Sequence, residues 1–173
     1  QYVVNPGFDL VAHDALDTGI GDTFVVAVHE GMVDEQIQAL GLSDRVSLAH
    51  RAEQRTLSDY YRNADLLVAP SLAPESWGLV GPEAMYFGLP VVAFDVGATA
   101  EWLEHRETGL LVAAGNVERF VEARWEILTD AQTRACWGQE AAPRATGLLG
   151  HIGRFSRDVE MVYSRAVTHR ERD

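Results

Sequence analysis

A doubly wound α/β fold on a parallel sheet is the class this sequence predicts, on three observations. Short apolar runs of strand length alternate along the chain with helix-like patterns. The runs are continuously apolar, as strands covered on both faces are. Stop and turn signals, among them Gly41, Gly88 and the Pro70-Ser71 pair, fall between these segments rather than inside them.

The elements follow in order. Tyr2-Val3-Val4 opens the chain as a short apolar run, ended by the turn residues Asn5-Pro6-Gly7. Residues 10–23 are mixed, with no clear period. Phe24-Val25-Val26-Ala27-Val28 reads as a buried strand. Met32 to Leu40 reads as a helix with Gly41 as its C′ residue. Val46 to His50 is the second strand. Thr56-Leu57-Ser58-Asp59 resembles a capping box and predicts a helix to Ala64. Leu66 to Ala69 is the third strand, closed by Pro70-Ser71. After a loop with Pro74, Gly78 and Gly81, Pro82 suits the first position of a helix to Phe87, ended by Gly88. Val91 to Asp95 and Gly109 to Val112 are the fourth and fifth strands, with a short helical piece from Ala100 to Leu103 between them. Helices are then expected over Val117–Leu128, Ala131–Ala141 and Arg157–Thr168.

The 173 residues suffice for one domain with a real core, and no linker or repeat divides them. Net charge is −12, and all 14 basic residues are arginine. An acidic chain with no basic stripe argues against nucleic acid and against an anionic membrane surface. No apolar run is long enough to span a bilayer. The one cysteine, Cys136, allows no internal disulfide, which fits a reducing, cytoplasmic setting, and it is expected as a small buried hydrophobe on a helix. Trp102, Trp125 and Trp137 are expected in the core.

In such a sheet ligands bind beyond the carboxyl ends of the strands. The loop Ser71–Gly81 lies at such an end and leads into a helix start at Pro82-Glu83. Free backbone N–H groups and the positive end of the helix dipole suit an anionic group there. Gly78 and Gly81 would let a ligand approach the backbone. Glu75 and Glu83 can accept hydrogen bonds from sugar or ribose hydroxyls. Their spacing alone says little, because Glu118 and Glu126 repeat it on a plain helix, where they read as a solvated face.

Context separates the two pairs. The segment Pro70-Ser71-Leu72-Ala73-Pro74-Glu75-Ser76-Trp77-Gly78-Leu79-Val80-Gly81-Pro82-Glu83-Ala84-Met85, then Gly88-Leu89-Pro90-Val91-Val92-Ala93, then Thr108-Gly109-Leu110-Leu111-Val112, resembles the C-terminal, donor-binding domain of family 4 retaining glycosyltransferases of the GT-B fold. Weaker likeness extends to Asn5–Asp9, Leu42–Val46 with Ala49–Arg51, Tyr60–Pro70 and Phe155–Tyr163. The resemblance implies that Glu75 contacts hydroxyls of the donor sugar. It implies that the backbone of Trp77, Gly78, Leu79 and Val80 lies against the sugar and diphosphate, and that Glu83 holds the ribose. Trp77 stands where the family has a small residue or Phe, which would narrow the pocket or stack on the sugar. His50, Arg51 and Arg55 are candidate nucleotide contacts.

The chain also departs from the family. A first strand and helix normally carry an Arg and a Lys that grip the diphosphate, and this chain has no lysine. Too few residues separate Asp9 from Phe24 for a further βα unit. The sheet is therefore expected to lack or replace one central strand, and an unpaired edge there would invite self-association. The family's N-terminal acceptor domain is expected to be absent, leaving residues 1–173 as a single donor-binding domain.

Other candidates are weaker. His29-Glu30 has no second histidine at ligand spacing, and no metal or other cofactor is expected. Gly19-Ile20-Gly21 reads as a turn, since position 24 is Phe where a dinucleotide fingerprint needs Gly. Asp95-Val96-Gly97 either borders the cleft or makes a simple strand-to-helix turn.

The reading is half of a glycosyltransferase that takes a nucleoside diphosphate sugar and retains anomeric configuration, with transfer needing an N-terminal-domain partner. Its alternative is a noncatalytic nucleotide-sugar-binding or protein-interaction module derived from such an enzyme.

Overall fold

The computed structural model describes residues 2–4, 24–27, 37–49, 54–73 and 77–170, with side chains described for 37–46, 57–73 and 77–150. Among the described residues six strands form one sheet: β1 (Tyr2–Val4), β2 (Phe24–Ala27), β3 (Val46–Ala49), β4 (Leu66–Ala69), β5 (Val91–Asp95) and β6 (Gly109–Ala113). Every pairing is parallel, and the order is β3-β2-β1-β4-β5-β6. This is the order of a doubly wound nucleotide-binding sheet, with the chain reversing direction across the sheet between β1 and β4.

The centre of the sheet corrects one expectation. Tyr2–Val4 was expected only as a short run before a turn, and five strands were foreseen. It pairs instead with β2 through Tyr2↔Phe24 and with β4 through Tyr2↔Leu66. The central strand is thus replaced, not missing, and no unpaired edge is left between β2 and β4. The turn signal directly after three residues hid the strand, although Tyr-Val-Val is β-favouring chemistry. The connection over residues 5–23, with Gly19-Ile20-Gly21, lies outside the described residues, as do His29-Glu30.

The side-chain period of two divides the core in two. Leu67, Ala69, Val91 and Ala93 face one side, where they meet Ala84, Met85, Trp102, Ala141 and Ala145. Leu66, Val68, Val92 and Phe94 face the other, against Phe120, Ala123, Ile127 and Trp137. The two helical layers belong to α2 (Val80–Tyr86), α3 (Thr99–Trp102) and α5 (Ala131–Arg170) on the first side. On the second, α4 (Val117–Thr129) is joined by the start of α5. Phe94 and Phe120 pack with ring centroids 4.5 Å apart across that layer.

Two helix ends behave as their glycines predict. Leu42 N–H donates to Ile37 C=O and Gly41 N–H to Gln38 C=O, with Gly41 at φ 66°. Leu89 N–H donates to Ala84 C=O and Gly88 N–H to Met85 C=O, with Gly88 at φ 78°. Both are Schellman closures, in which a left-handed residue turns the chain and satisfies the last carbonyls. Two helix starts differ from the sequence expectation. The helix α1 (Gln54–Asn63) begins before Thr56, so Thr56 lies inside it and no capping box starts there. Helix α2 begins at Val80, with Pro82 third, not first. That is still a position whose N–H has no intrahelical acceptor, so the ring costs no hydrogen bond.

The C-terminal helices expected as two pieces are one, α5, running through Pro143. Pro143, Gly147 and Gly150 read locally as breakers. Packing outweighs them: Trp137, Ala141 and Ala145 are buried along one stripe, and Gly138 crosses Gly88 so closely that a Cβ on Gly138 would overlap the Gly88 carbonyl. Asp130 caps the start of α5, accepting from the N–H groups of Gln132 and Thr133 at 3.1 and 3.0 Å.

Three side-chain expectations fail here. Cys136 is exposed rather than buried, and Trp125 is 37% exposed, because both fall on the outer stripe of their helices. Trp102 and Trp137 are core, as expected. Glu126 is no merely solvated residue: it pairs with Arg106 and Arg119, each at 3.0 Å, and so ties the turn before β6 to α4. Its spacing partner Glu118 is exposed.

Candidate functional site

An open pocket lies at the carboxyl ends of β4 and β5. Ala69 and Ser71 come from β4 and its exit. Ala93, Phe94 and Val96 come from β5 and its exit. Trp77, Gly78 and Val80 close one side, and Thr99 and Trp102 of α3 close the other. The strands place these residues because a parallel sheet aligns all its carboxyl ends on one edge.

The loop into α2 is shaped by two glycines with different reasons. Gly78 has φ 60°, a left-handed conformation that side chains disfavour. Gly81 was expected to admit a ligand, and the structure corrects this. Gly81 is buried, and a Cβ there would overlap the six-membered ring of Trp102. Its hydrogen is required for packing. Between them, Gly81 N–H turns back to Gly78 C=O at 3.1 Å, and Glu83 N–H makes the first full helical bond, to Leu79 C=O at 2.9 Å. The amides of Leu79 and Val80 take no partner among the described residues, which leaves them as donors for an anion or a sugar oxygen.

Trp77 is half-buried and packs against the cluster beneath α2, so its ring is a wall of the pocket and no free flap. The Leu79 side chain is 51% exposed and does not line the pocket. Glu83 sits in the first turn of α2, also off the pocket wall, and accepts a long hydrogen bond of 3.4 Å from Tyr61 Oη. Burial, together with the charge and hydrogen bond of Glu83, pushes the Tyr61 phenol well above its ordinary range. Glu75, His50 and Arg51 lie outside the described residues. Arg55 is on α1, in its first turn.

On the far wall, Thr99 Oγ1 donates to Val96 C=O at 2.7 Å, fixing a turn at Asp95-Val96-Gly97. Val96 lines the pocket while Asp95 is exposed, so this turn does border the cleft. Arg144, from α5, holds α3 from behind. Its Nε donates to Trp102 C=O at 2.8 Å and Nη2 to Glu101 C=O at 3.3 Å, while Nη1 pairs with Glu104 at 2.6 Å. Trp102 is 2% exposed, and its indole N–H has no partner among the described residues.

The family model described as "Glycosyl transferases group 1" matches residues 27–144, more than half of the chain. The chain belongs to the group 1 glycosyltransferases. One curated relative of this group 1 chain is the lipopolysaccharide core biosynthesis mannosyltransferase LpsB of Rhizobium meliloti strain 1021. It is 39% identical over 133 residues, which are 76% of this chain and 35% of LpsB. Among solved structures, Anabaena HepE in complex with UDP-glucose is similar at 26% identity with a TM-score of 0.71, covering 92% of this chain and 48% of HepE. The C-terminal domain of a glycosyl transferase group 1 family protein, LpcC of Francisella tularensis, shares the fold, with a TM-score of 0.62 at 23% identity, over 72% of this chain and 68% of that domain. The chain thus spans about a third of the length of LpsB and about half of HepE.

In this group 1 chain the structure brings Trp77, Gly78 and Val80 to one wall, with Glu83 on the first turn of the helix that follows. Residue-by-residue reading missed Tyr61, Thr99 and Arg144. Thr99 carries a local signal, a hydroxyl at a helix start after a strand. Arg144 carries none, since its partners lie about forty residues upstream.

Proposed function

We propose that these residues form the donor-binding half of a GT-B, family 4 glycosyltransferase that retains anomeric configuration, corresponding to the C-terminal domain of such enzymes. The observation that carries this is the loop Trp77–Val80. It lies at the carboxyl end of β4, beside the point where the strand order reverses, and the amides of Leu79 and Val80, without a partner among the described residues, run into a helix that bears Glu83. Apolar walls with a few directed polar groups suit a nucleotide sugar. The fold likeness to a C-terminal domain and to a UDP-glucose complex supports the same reading.

In this proposal Glu75 binds hydroxyls of the donor sugar, the Trp77–Val80 backbone follows the sugar and diphosphate, and Glu83 takes the ribose. His50, Arg51 and Arg55 approach the nucleotide. The chain has no lysine, so backbone amides and arginine carry the diphosphate charge. No metal or other cofactor has a role in this chemistry. Transfer needs the acceptor held in line with the anomeric carbon, so it requires an N-terminal-type domain facing this one. The nucleotide-sugar substrate and the single cysteine fit a cytoplasmic setting.

The test is calorimetric titration of the 173-residue chain with UDP, GDP and their sugars. Saturable binding that weakens about tenfold or more in Glu83→Ala, a loss of about 1.4 kcal/mol, is the expected result. Absence of binding by every nucleotide at millimolar concentration contradicts the proposal.

A further inference from the structure

Glu83 and Phe87 are four residues apart and share one face at α2 and its C-cap. Tyr61, the eighth residue of α1, lies across that face. Its ring stacks on Phe87, with centroids 5.6 Å apart and planes 27° apart, and its hydroxyl reaches Glu83 Oε2 at 3.4 Å. Tyr61 is 2% exposed and belongs to the cluster between α2 and the sheet. Its hydroxyl therefore has little freedom to move. Arg62 adds to the arrangement by placing its guanidinium 5.1 Å from the centre of the Phe87 ring.

A carboxylate on a first helical turn, half open to solvent, rotates freely unless something holds one oxygen. We propose that Tyr61 is a positioning residue for Glu83, holding one carboxylate oxygen so that the other is presented to the ribose diol of the donor nucleotide. This rests on the donor-site reading of Glu83 above. The 3.4 Å separation is long for an O–H···O bond, and such contacts commonly tighten when a bound ligand engages the other oxygen. The high proton affinity of the buried phenol keeps it a donor across the working pH range. Tyr61 touches no substrate itself.

The experiment compares UDP with 2′,3′-dideoxy-UDP, and GDP with its dideoxy analogue, on the wild-type chain and on Tyr61→Phe by calorimetry. The wild type is expected to prefer the ribose form. Tyr61→Phe is expected to lose about threefold to tenfold in affinity for the ribose nucleotide, as for one lost hydrogen bond, with affinity for the dideoxy form unchanged. Equal loss for both forms shows a merely structural role and overturns the inference, as does no loss for either. A wild type that binds neither pair of nucleotides overturns the donor-site reading, and this inference with it. A wild type that binds ribose and dideoxy forms equally removes the ribose contact of Glu83 and the need to position it. Where Tyr61→Phe does not fold, tyrosine absorbance is titrated against pH in the wild type and in Glu83→Gln. One tyrosine is expected to ionise at lower pH in Glu83→Gln, because the neighbouring charge is gone. An unchanged titration overturns the contact.

Discussion

Gly81 and Trp102 are a matched pair. The indole occupies the volume that any side chain at position 81 would need, and the pair closes the floor between α2 and α3. Gly81→Ala is expected to lower the melting temperature markedly, since overpacking a tight contact costs about 1–3 kcal/mol. Trp102→Leu in the Gly81→Ala background is expected to recover part of that loss, and thermal melts of the single and double variants check both. Asp130 gives a pH-dependent counterpart. Hydrogen bonds from the Thr133 N–H and hydroxyl hold its carboxyl below the usual carboxylate range, with the Gln132 N–H and Arg134 adding to this. A lowered folded-state value means that the stabilisation is full above the ordinary aspartate range and is lost as pH falls through the folded value. The stability difference between wild type and Asp130→Asn should therefore be present at neutral pH and vanish in acid, read from denaturant melts at stepped pH. At this scale the sequence disclosed residue chemistry better than residue purpose. The resemblance marked the Gly-bearing loop, but whether Gly81 served a ligand or a neighbouring ring depended on Trp102, twenty-one residues away.

Helix α5 shows why element boundaries are harder to read than element types. Pro143 removes one i→i−4 bond, and two glycines follow within the next seven residues, so local rules predict a break. The helix persists because its inner stripe is buried against α2 and the sheet, a fact that no local window contains. Pro143 is exposed, so Pro143→Ala restores the bond to the Gln139 carbonyl without disturbing the core. It is expected to raise stability by about 1–3 kcal/mol, seen as a higher denaturant midpoint with unchanged slope. Arg144 ties the same helix to the pocket wall, because its guanidinium satisfies the last carbonyls of α3. Arg144→Met keeps the aliphatic stem and removes those bonds. It is expected to cost about 1–3 kcal/mol and to increase amide hydrogen exchange over Thr99–Leu103.

Across the whole molecule, the strand order depends on three residues. Tyr2–Val4 fills the position between β2 and β4, and both halves of the sheet pair through it. A chain beginning at Asn5 is expected to lose cooperative unfolding, because β2–β3 and β4–β5–β6 would share no strand; circular dichroism melts test this. The right half of the sheet was legible, since β4 and β5 are continuous apolar runs buried along nearly their whole length. The central strand was not, because three residues before a turn carry no period, and only the partners on both sides define them. A single spectrum tests the donor site directly. Each of the four tryptophans gives one indole N–H resonance in a ¹⁵N–¹H correlation spectrum, and Trp77 and Trp102 line the pocket while Trp125 and Trp137 belong to α4 and α5. On titration with UDP or GDP, each alone or as its sugar, Trp77 and Trp102 are expected to shift and Trp125 and Trp137 to stay. Four unmoved resonances at millimolar ligand, or shifts confined to Trp125 and Trp137, would contradict it.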